Sequence, residues 1–428
     1  MKYIFVPVLL AILTLGASCQ RSQKKPDVPV VDSPSTGAAA KPVEKLGPPI
    51  QVRSGENSSS LSAKPLTSSG ENTDARFSPD GTRILFISRA RPSHKQAQVY
   101  ELYLGRMTEK RITFHDGDDG APVYHPDGQH LLFSSATDEI KEEPYVIDRL
   151  MKNYYPEGLA KRGKDKPGDI NEGSELYLQS LHGRVIDRLT RTAGFDSDPD
   201  VDAKTKRVVF SSARTKDSMH IWLLNGKNQV RLTEGQVIDR SPRFAPDAKA
   251  IVLSRTKAKA ERAVAADDSA DMDLILLEGN DFRKTRALTS GPGSDLYPAW
   301  NPNGEEIIFS SNRGGGGVFN LYSIDRAGQC VRRLTTSDFD QLQPGFSPDG
   351  KQIVFTGKRE GQHHIYVMDY PKPSDCQGPG VAPPKGAVPA ASTSPGPAPS
   401  PQTTPAAPEG TTTSSSAPAA TAATPAAL

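Results

Sequence analysis

The chain has 428 residues, of which 36% are hydrophobic. That is low for a globular chain of this length, and the deficit sits at the two ends, so the folded part is shorter than the sequence. Basic residues number 52 and acidic residues 50, a net charge of +2, which excludes a chain drawn as a whole to nucleic acid or to an anionic membrane.

The N-terminus reads MKYIFVPVLLAILTLGASC. One lysine precedes an apolar run from Tyr3 to Leu15, then small residues, then Cys19. The run is too short to be a membrane span ahead of a folded domain and is read as an export signal over residues 1–19. It resembles a bacterial lipoprotein signal, although Gly16 stands where that family carries Leu and Leu15 lies one place early. The resemblance implies lipidation of Cys19, a lipid anchor in the membrane and a periplasmic protein. In that family a residue other than Asp after the cysteine, here Gln20, implies the outer membrane. Cleavage near Ala17–Ser18, with Cys19 left as a free thiol, is the alternative.

Residues 20–63 are rich in Ser, Pro, Gly and Lys without apolar periodicity, and read as a disordered tether. Residues 372–428 form a Pro/Ala/Ser/Thr-rich tail that cannot bury enough apolar surface to offset its ordering entropy, so it too reads as disordered.

Between them, residues 64–371 carry a repeat. FSPDG stands at Phe77–Gly81 and again at Phe346–Gly350, with worn copies between. Aligned on the aromatic or its substitute, the anchors are 77, 124, 201, 244, 300 and 346, with spacings of 47, 77, 43, 56 and 46. Each repeat has the same order. A short strand ends at Pro-Asp-Gly, whose proline presets φ and whose glycine suits the exit of a type I turn. An apolar strand follows, then a third strand (YELYL, ELYLQ, HIWLL, DLILL, NLYSI, HIYVM), then a more polar fourth ending in Leu-Thr or a close relative. Four strands at a period in the forties make a propeller blade, so the fold class expected is all-β: a six-bladed β-propeller of four-stranded blades. The sixth repeat lacks its Leu-Thr strand, whereas Lys64–Thr67 stands unclaimed before the first. That N-terminal strand is expected to close the ring, since an open ring would leave an unpaired sheet edge.

These repeats resemble those of TolB-type propellers, in the WD40-like group, over roughly residues 64–370. The family carries an α/β domain ahead of its propeller and this chain has only the tether there, so the resemblance extends to the propeller alone. It implies a protein-interaction module of the periplasm, with an envelope protein such as a Pal-like lipoprotein as partner.

Loops carry function on rigid scaffolds. The two insertions, 136–174 and 256–272, and the glycine run Gly314–Gly317 all fall between second and third strands, which makes that face the expected binding face. It also carries Asp119, Asp196, Asp239 and Asp295, each three residues before the proline of its repeat, and Arg214, Arg313 and Arg359 after second strands. Each Asp either caps its own turn and pairs with a nearby Arg, or lines a channel mouth for a basic peptide or cation. In the first insertion Ile147, Leu150, Met151 and Tyr154 follow helical spacing. They form a stripe that packs on the propeller itself or anchors a partner. DSDPDVD at 196–202 has the alternating carboxylates that suit Ca²⁺, but lacks the loop glycine and the closing Glu, so it reads as a solvated, partly Arg-paired loop.

Cys330 and Cys376 fall near third-to-fourth turns of neighbouring repeats. An exported compartment permits a disulfide between them, and two free thiols are the alternative. No G-x-S-x-G or H-E-x-x-H occurs, and the eight histidines show no ligand spacing with Cys or carboxylates. The expectation is therefore a non-enzymatic protein without metal or cofactor. The alternative is a binder of glycan or peptidoglycan fragments, or a lyase-like propeller enzyme.

Overall fold

The computed structural model describes residues 41–43, 46–54, 60–115, 117–137, 173–182, 186–192, 194–215, 218–257, 271–371 and 376–380. Among these every regular element is a strand. The export signal with Cys19, the stripe Ile147, Leu150, Met151 and Tyr154, and the tail from residue 381 lie outside the described residues.

Ahead of the repeats come β1 (Lys41–Pro42), β2 (Ile50–Ser54) and β3 (Ser60–Pro65). The first repeat then supplies β4 (Glu71–Phe77), β5 (Arg83–Arg89), β6 (Gln98–Tyr103) and β7 (Thr108–Arg111). The second supplies β8 (Asp119–Tyr124), β9 (His130–Ser135), β10 (Glu175–Ser180) and β11 (Ile186–Arg188). The third gives β12 (Asp196–Val201), β13 (Val208–Thr215), β14 (Ser218–Asn225) and β15 (Asn228–Arg231). The fourth gives β16 (Val237–Phe244), β17 (Ala250–Lys257), β18 (Asp273–Glu278) and β19 (Lys284–Ala287). The fifth gives β20 (Asp295–Trp300), β21 (Glu306–Ser311), β22 (Asn320–Asp325) and β23 (Val331–Arg333), followed by the short β24 (Thr335–Thr336). The last gives β25 (Asp340–Phe346), β26 (Gln352–Arg359) and β27 (Gln362–Asp369).

Within each repeat the strands pair antiparallel in sequence order. The third and fourth repeats share one sheet through a single parallel bridge, Met219 to Ile238. The first strands neighbour one another in a closed circle, β4 to β8, β12, β16, β20, β25 and back to β4. This is an all-β propeller with the first strands around its axis. Its core lies between successive sheets, with clusters that join neighbouring repeats: Val252 and Leu276 of the fourth pack with Phe309 and Tyr322 of the fifth.

The Leu-Thr ending has a specific task. Thr113, Thr190, Thr233, Thr289 and Thr335 each accept, through Oγ1, a backbone N–H from the third strand of their own repeat. Thr67 does the same for Ile365 at 3.0 Å, and Pro65 lies opposite Tyr366. The last sheet therefore takes its fourth strand from the N-terminal side of the chain.

The boundaries expected for the folded part need correction at both ends. β3 begins at Ser60 and forms a hairpin with β2, so part of the 20–63 tether is sheet. The alternation Ile50, Val52, Leu61, Ala63 is the physical reason: Val52 and Ala63 are buried in the core with Phe355 and Met368. At the other end residues 376–380, assigned to the disordered tail, add to the edge at β23. Val331 donates to the Gly378 carbonyl and Gln377 to the Val331 carbonyl, both within 2.9 Å. Gly380 passes so close to the Leu288 carbonyl that a Cβ there would collide with it. Cys330 and Cys376 are bonded, with Cα atoms 5.1 Å apart.

Candidate functional site

Of the two alternatives for the aspartates, arginine-paired caps or a channel mouth, three follow the first and are interior latches. Asp119, Asp196 and Asp239 are fully buried and Asp295 is 2% exposed. Asp239 accepts from Arg255 Nε and Nη2 at 2.6 and 2.8 Å. Asp196 accepts from Arg214 at 3.0 Å, and Asp295 from Arg313 and from Ser311 Oγ. The arginines also lie over aromatic rings of their own sheets, Arg214 at 4.3 Å from the Trp222 ring and Arg313 at 5.4 Å from Phe309. Each latch thus ties the start of the first strand to the end of the second, and none offers an open carboxylate. Arg359 is outside this scheme: the residue in the Asp position is Gln341, which takes Thr335 Oγ1, and Arg359 meets Glu360 at the surface.

Asp119 is a second exception. No arginine follows its second strand, and Ala136 and Thr137 stand there instead. It is held by Thr113 Oγ1, with His115 Nδ1 3.5 Å away. Burial without a cation pushes its carboxyl up to about 8, against the lowering by Thr113 and Ser135.

A site that the sequence reading missed lies on the first strands. In every repeat these strands carry a bulge, and the residue three before the anchor sits in the left-handed region although none is glycine: Asp74, Ala121, Asp198, Ser241, Tyr297 and Gln343, with φ between 45° and 56°. Such a conformation costs about 1 kcal/mol or more per residue. In the first, third and fourth repeats a side chain at this position or two places on reaches backbone groups on the edge of a neighbouring first strand.

Charged side chains serve those edges. Arg76 Nη1 donates to the carbonyls of Ala75, Gln343 and Pro344, and Arg243 Nη1 to those of Pro242 and Asp198. Asp198 accepts the Ser241 N–H at 3.2 Å, Asp200 the Phe244 N–H at 2.8 Å, and Gln343 the Asp74 N–H at 3.1 Å. Asp74, Arg76, Asp198, Asp200 and Arg243 come from the first, third and fourth repeats, yet lie in one electrostatic neighbourhood. The reason is the shared axis. Burial, then the field of Arg243, lowers Arg76 to about 10. Burial raises the carboxyls of Asp74 and Asp200. Arg243 is 8% exposed and its Nε has no hydrogen-bond partner among the described residues. The sequence signal for this belt is the pair of positions three and one before each anchor, which carry Asp74/Arg76, Asp198/Asp200 and Ser241/Arg243.

DSDPDVD is partly Arg-paired as expected but is not a solvated loop. It is the strand β12 and its turn, and its carboxylates diverge: Asp196 to Arg214, Asp198 and Asp200 to β16, Asp202 to Arg207. The expectation that no histidine is spaced with a carboxylate also fails. The turn after β8 brings His125, Asp127 and His130 together, with donor atoms all within 4.8 Å of one another.

Comparison with known proteins agrees with the fold. The sequence model of the TolB beta propeller domain matches residues 273–375. An uncharacterized protein of Agrobacterium fabrum, Atu1656, is 25% identical over 256 residues, covering 54% of this chain and 82% of that protein. Among solved structures, TolB from Acinetobacter baumannii superposes with a TM-score of 0.45 at 14% identity, over 71% of this chain and 67% of that one. Oligogalacturonate lyase from Vibrio parahaemolyticus superposes with a TM-score of 0.48 at 13% identity, over 79% and 99%. The chain is a β-propeller similar to the TolB propeller domain.

Proposed function

We propose that this chain is an exported, non-enzymatic six-bladed propeller of the cell envelope that binds a partner protein at its central channel. An acidic group of the partner, a side-chain carboxylate or a C-terminus, lies between Arg76 and Arg243. The observation that supports it is Arg243, 8% exposed, with its Nε left without an acceptor among the described residues while its Nη1 and that of Arg76 donate to first-strand carbonyls. A planar guanidinium suits a carboxylate, and a partner's acidic group would compete there with Asp74, Asp198 and Asp200 for the two arginines. Lipidation at Cys19 and an outer-membrane, Pal-like partner complete this reading.

The test is a pull-down from envelope extract with the tether replaced by a tag, for the wild type, Arg243→Met and a deletion of residues 138–170. Capture of an envelope protein that is lost in Arg243→Met supports the reading. Equal capture by that variant removes the channel from it, and loss only in the deletion moves the contact to the second-to-third loops. Acidic sugars also carry carboxylates, so a thermal shift with oligogalacturonate or peptidoglycan fragments and no protein captured would replace the reading with a glycan binder or lyase.

A further inference from the structure

The turn His125-Pro-Asp-Gly-Gln-His130 joins β8 to β9, opposite in the repeat to the insertions. Its backbone is that of its sister turns. Asp127 Oδ1 accepts the N–H groups of Gln129 and His130 at 2.8 and 3.1 Å. Asp80 and Asp349 accept the N–H groups of Thr82 and Lys351 in the same way. The flanking side chains differ. Where the first repeat has Ser78 and Arg83, and the last has Ser347 and Gln352, this one has His125 and His130.

Both imidazoles point at one oxygen. His125 Nδ1 and His130 Nδ1 each stand 2.8 Å from Asp127 Oδ2, and the two rings meet edge to face. In the sister turns a serine hydroxyl donates to the carboxylate, 2.5 Å from Asp80 and 2.6 Å from Asp349, and the other oxygen faces Arg83 or Lys351 with no imidazole near it. Turn geometry therefore does not require a histidine at either place. Two imidazole nitrogens and a carboxylate oxygen are the donor set of a borderline divalent ion. Bonds of about 2.0–2.2 Å to such an ion place its ligands roughly 3.3 Å apart, and the donor atoms of the trio already lie within 4.8 Å of one another. The side chains of the three residues are 20%, 38% and 40% exposed, so ions enter from solvent and a fourth position stays open.

We propose that His125, Asp127 and His130 bind one divalent ion of the zinc class through Nδ1, a carboxylate oxygen and Nδ1. The site is independent of the channel and of any partner there. The test is equilibrium dialysis of the full chain against Zn²⁺, with His125→Ser and His130→Arg as variants. These are the residues that the first repeat carries in the same turn, so they keep its backbone. The wild type is expected to hold one ion, and each variant to bind about tenfold or more weakly. No bound ion, or equal binding by both variants, overturns the proposal. Should a variant fail to fold, Cu²⁺ on the wild-type chain decides: electron spin resonance with splitting from two imidazole nitrogens supports the site, and splitting from one or none overturns it.

Discussion

Arg255 grips Asp239 through two nitrogens at the start of a first strand, and the aspartate has no exposure of its own. Removing one partner of a buried pair leaves the other charge uncompensated. Arg255→Ala is therefore expected to cost about 3 kcal/mol, read as a fall in the denaturant midpoint at unchanged m-value. Asp119 is the same position without its arginine, and it behaves oppositely. Its carboxyl is raised from the ordinary 3.8 of a free aspartate to about 8, first by burial. Below pH 4 it is protonated folded or unfolded and costs nothing. From there to about pH 8 only the folded chain keeps the proton, so stability falls as pH rises through that window. Asp119→Asn should remove this part of the slope in a series of melting temperatures against pH. Equal slopes for the two proteins would show that the carboxyl is not neutral. The Asp positions were legible from their spacing, but that three find arginines and one does not followed from the second strand's end, where Thr137 replaces Arg214 or Arg313.

At the scale of the element, the segment 376–380 is held by one covalent and several backbone links. The disulfide joins residues 46 apart in sequence, and beyond it Gly378 accepts the Val331 N–H at 2.9 Å. Cys376→Ser is expected to lower stability by about 2–4 kcal/mol. It should also speed hydrogen exchange at the Val331 amide, which loses its cover. Unchanged protection there would mean that Gly378–Gly380 dock without the covalent tie. The docking of this segment was invisible in the sequence because its bonds are backbone bonds, and Ser, Pro and Gly composition does not forbid them. The β2–β3 hairpin was more legible: Ile50, Val52, Leu61 and Ala63 alternate, and the surrounding Ser and Gly obscured a four-residue signal.

The described first strands close into a ring whose last sheet is completed by a strand that precedes the first repeat. Thr67 is 2% exposed and Ile365 fully buried, and the hydroxyl of one accepts the N–H of the other. Thr67→Val keeps the shape and leaves that N–H without an acceptor, which costs about 1–3 kcal/mol. Because the lost bond joins the ends of the ring, exchange should quicken first along β27 and β3. Uniform quickening over all sheets would show that closure is no weaker than the rest. The axis has a similar whole-molecule character. Asp74 and Asp198 lie in repeats that are not neighbours, and only ring closure sets them in one field.

The repeat, the order of strands within it, the turn chemistry of Pro-Asp-Gly and the strand that closes the circle are legible from residue spacing. All of these are local or periodic, and periodicity survives the wear of individual copies. Tertiary structure alone decided what faces the axis and what meets in a turn. The channel charges come from different repeats, and two imidazoles share one carboxylate oxygen only because a bend sets positions 125, 127 and 130 side by side. Composition and spacing carry the path of the chain, whereas the direction of a side chain is fixed only when its strand is bulged, curved and packed against the next.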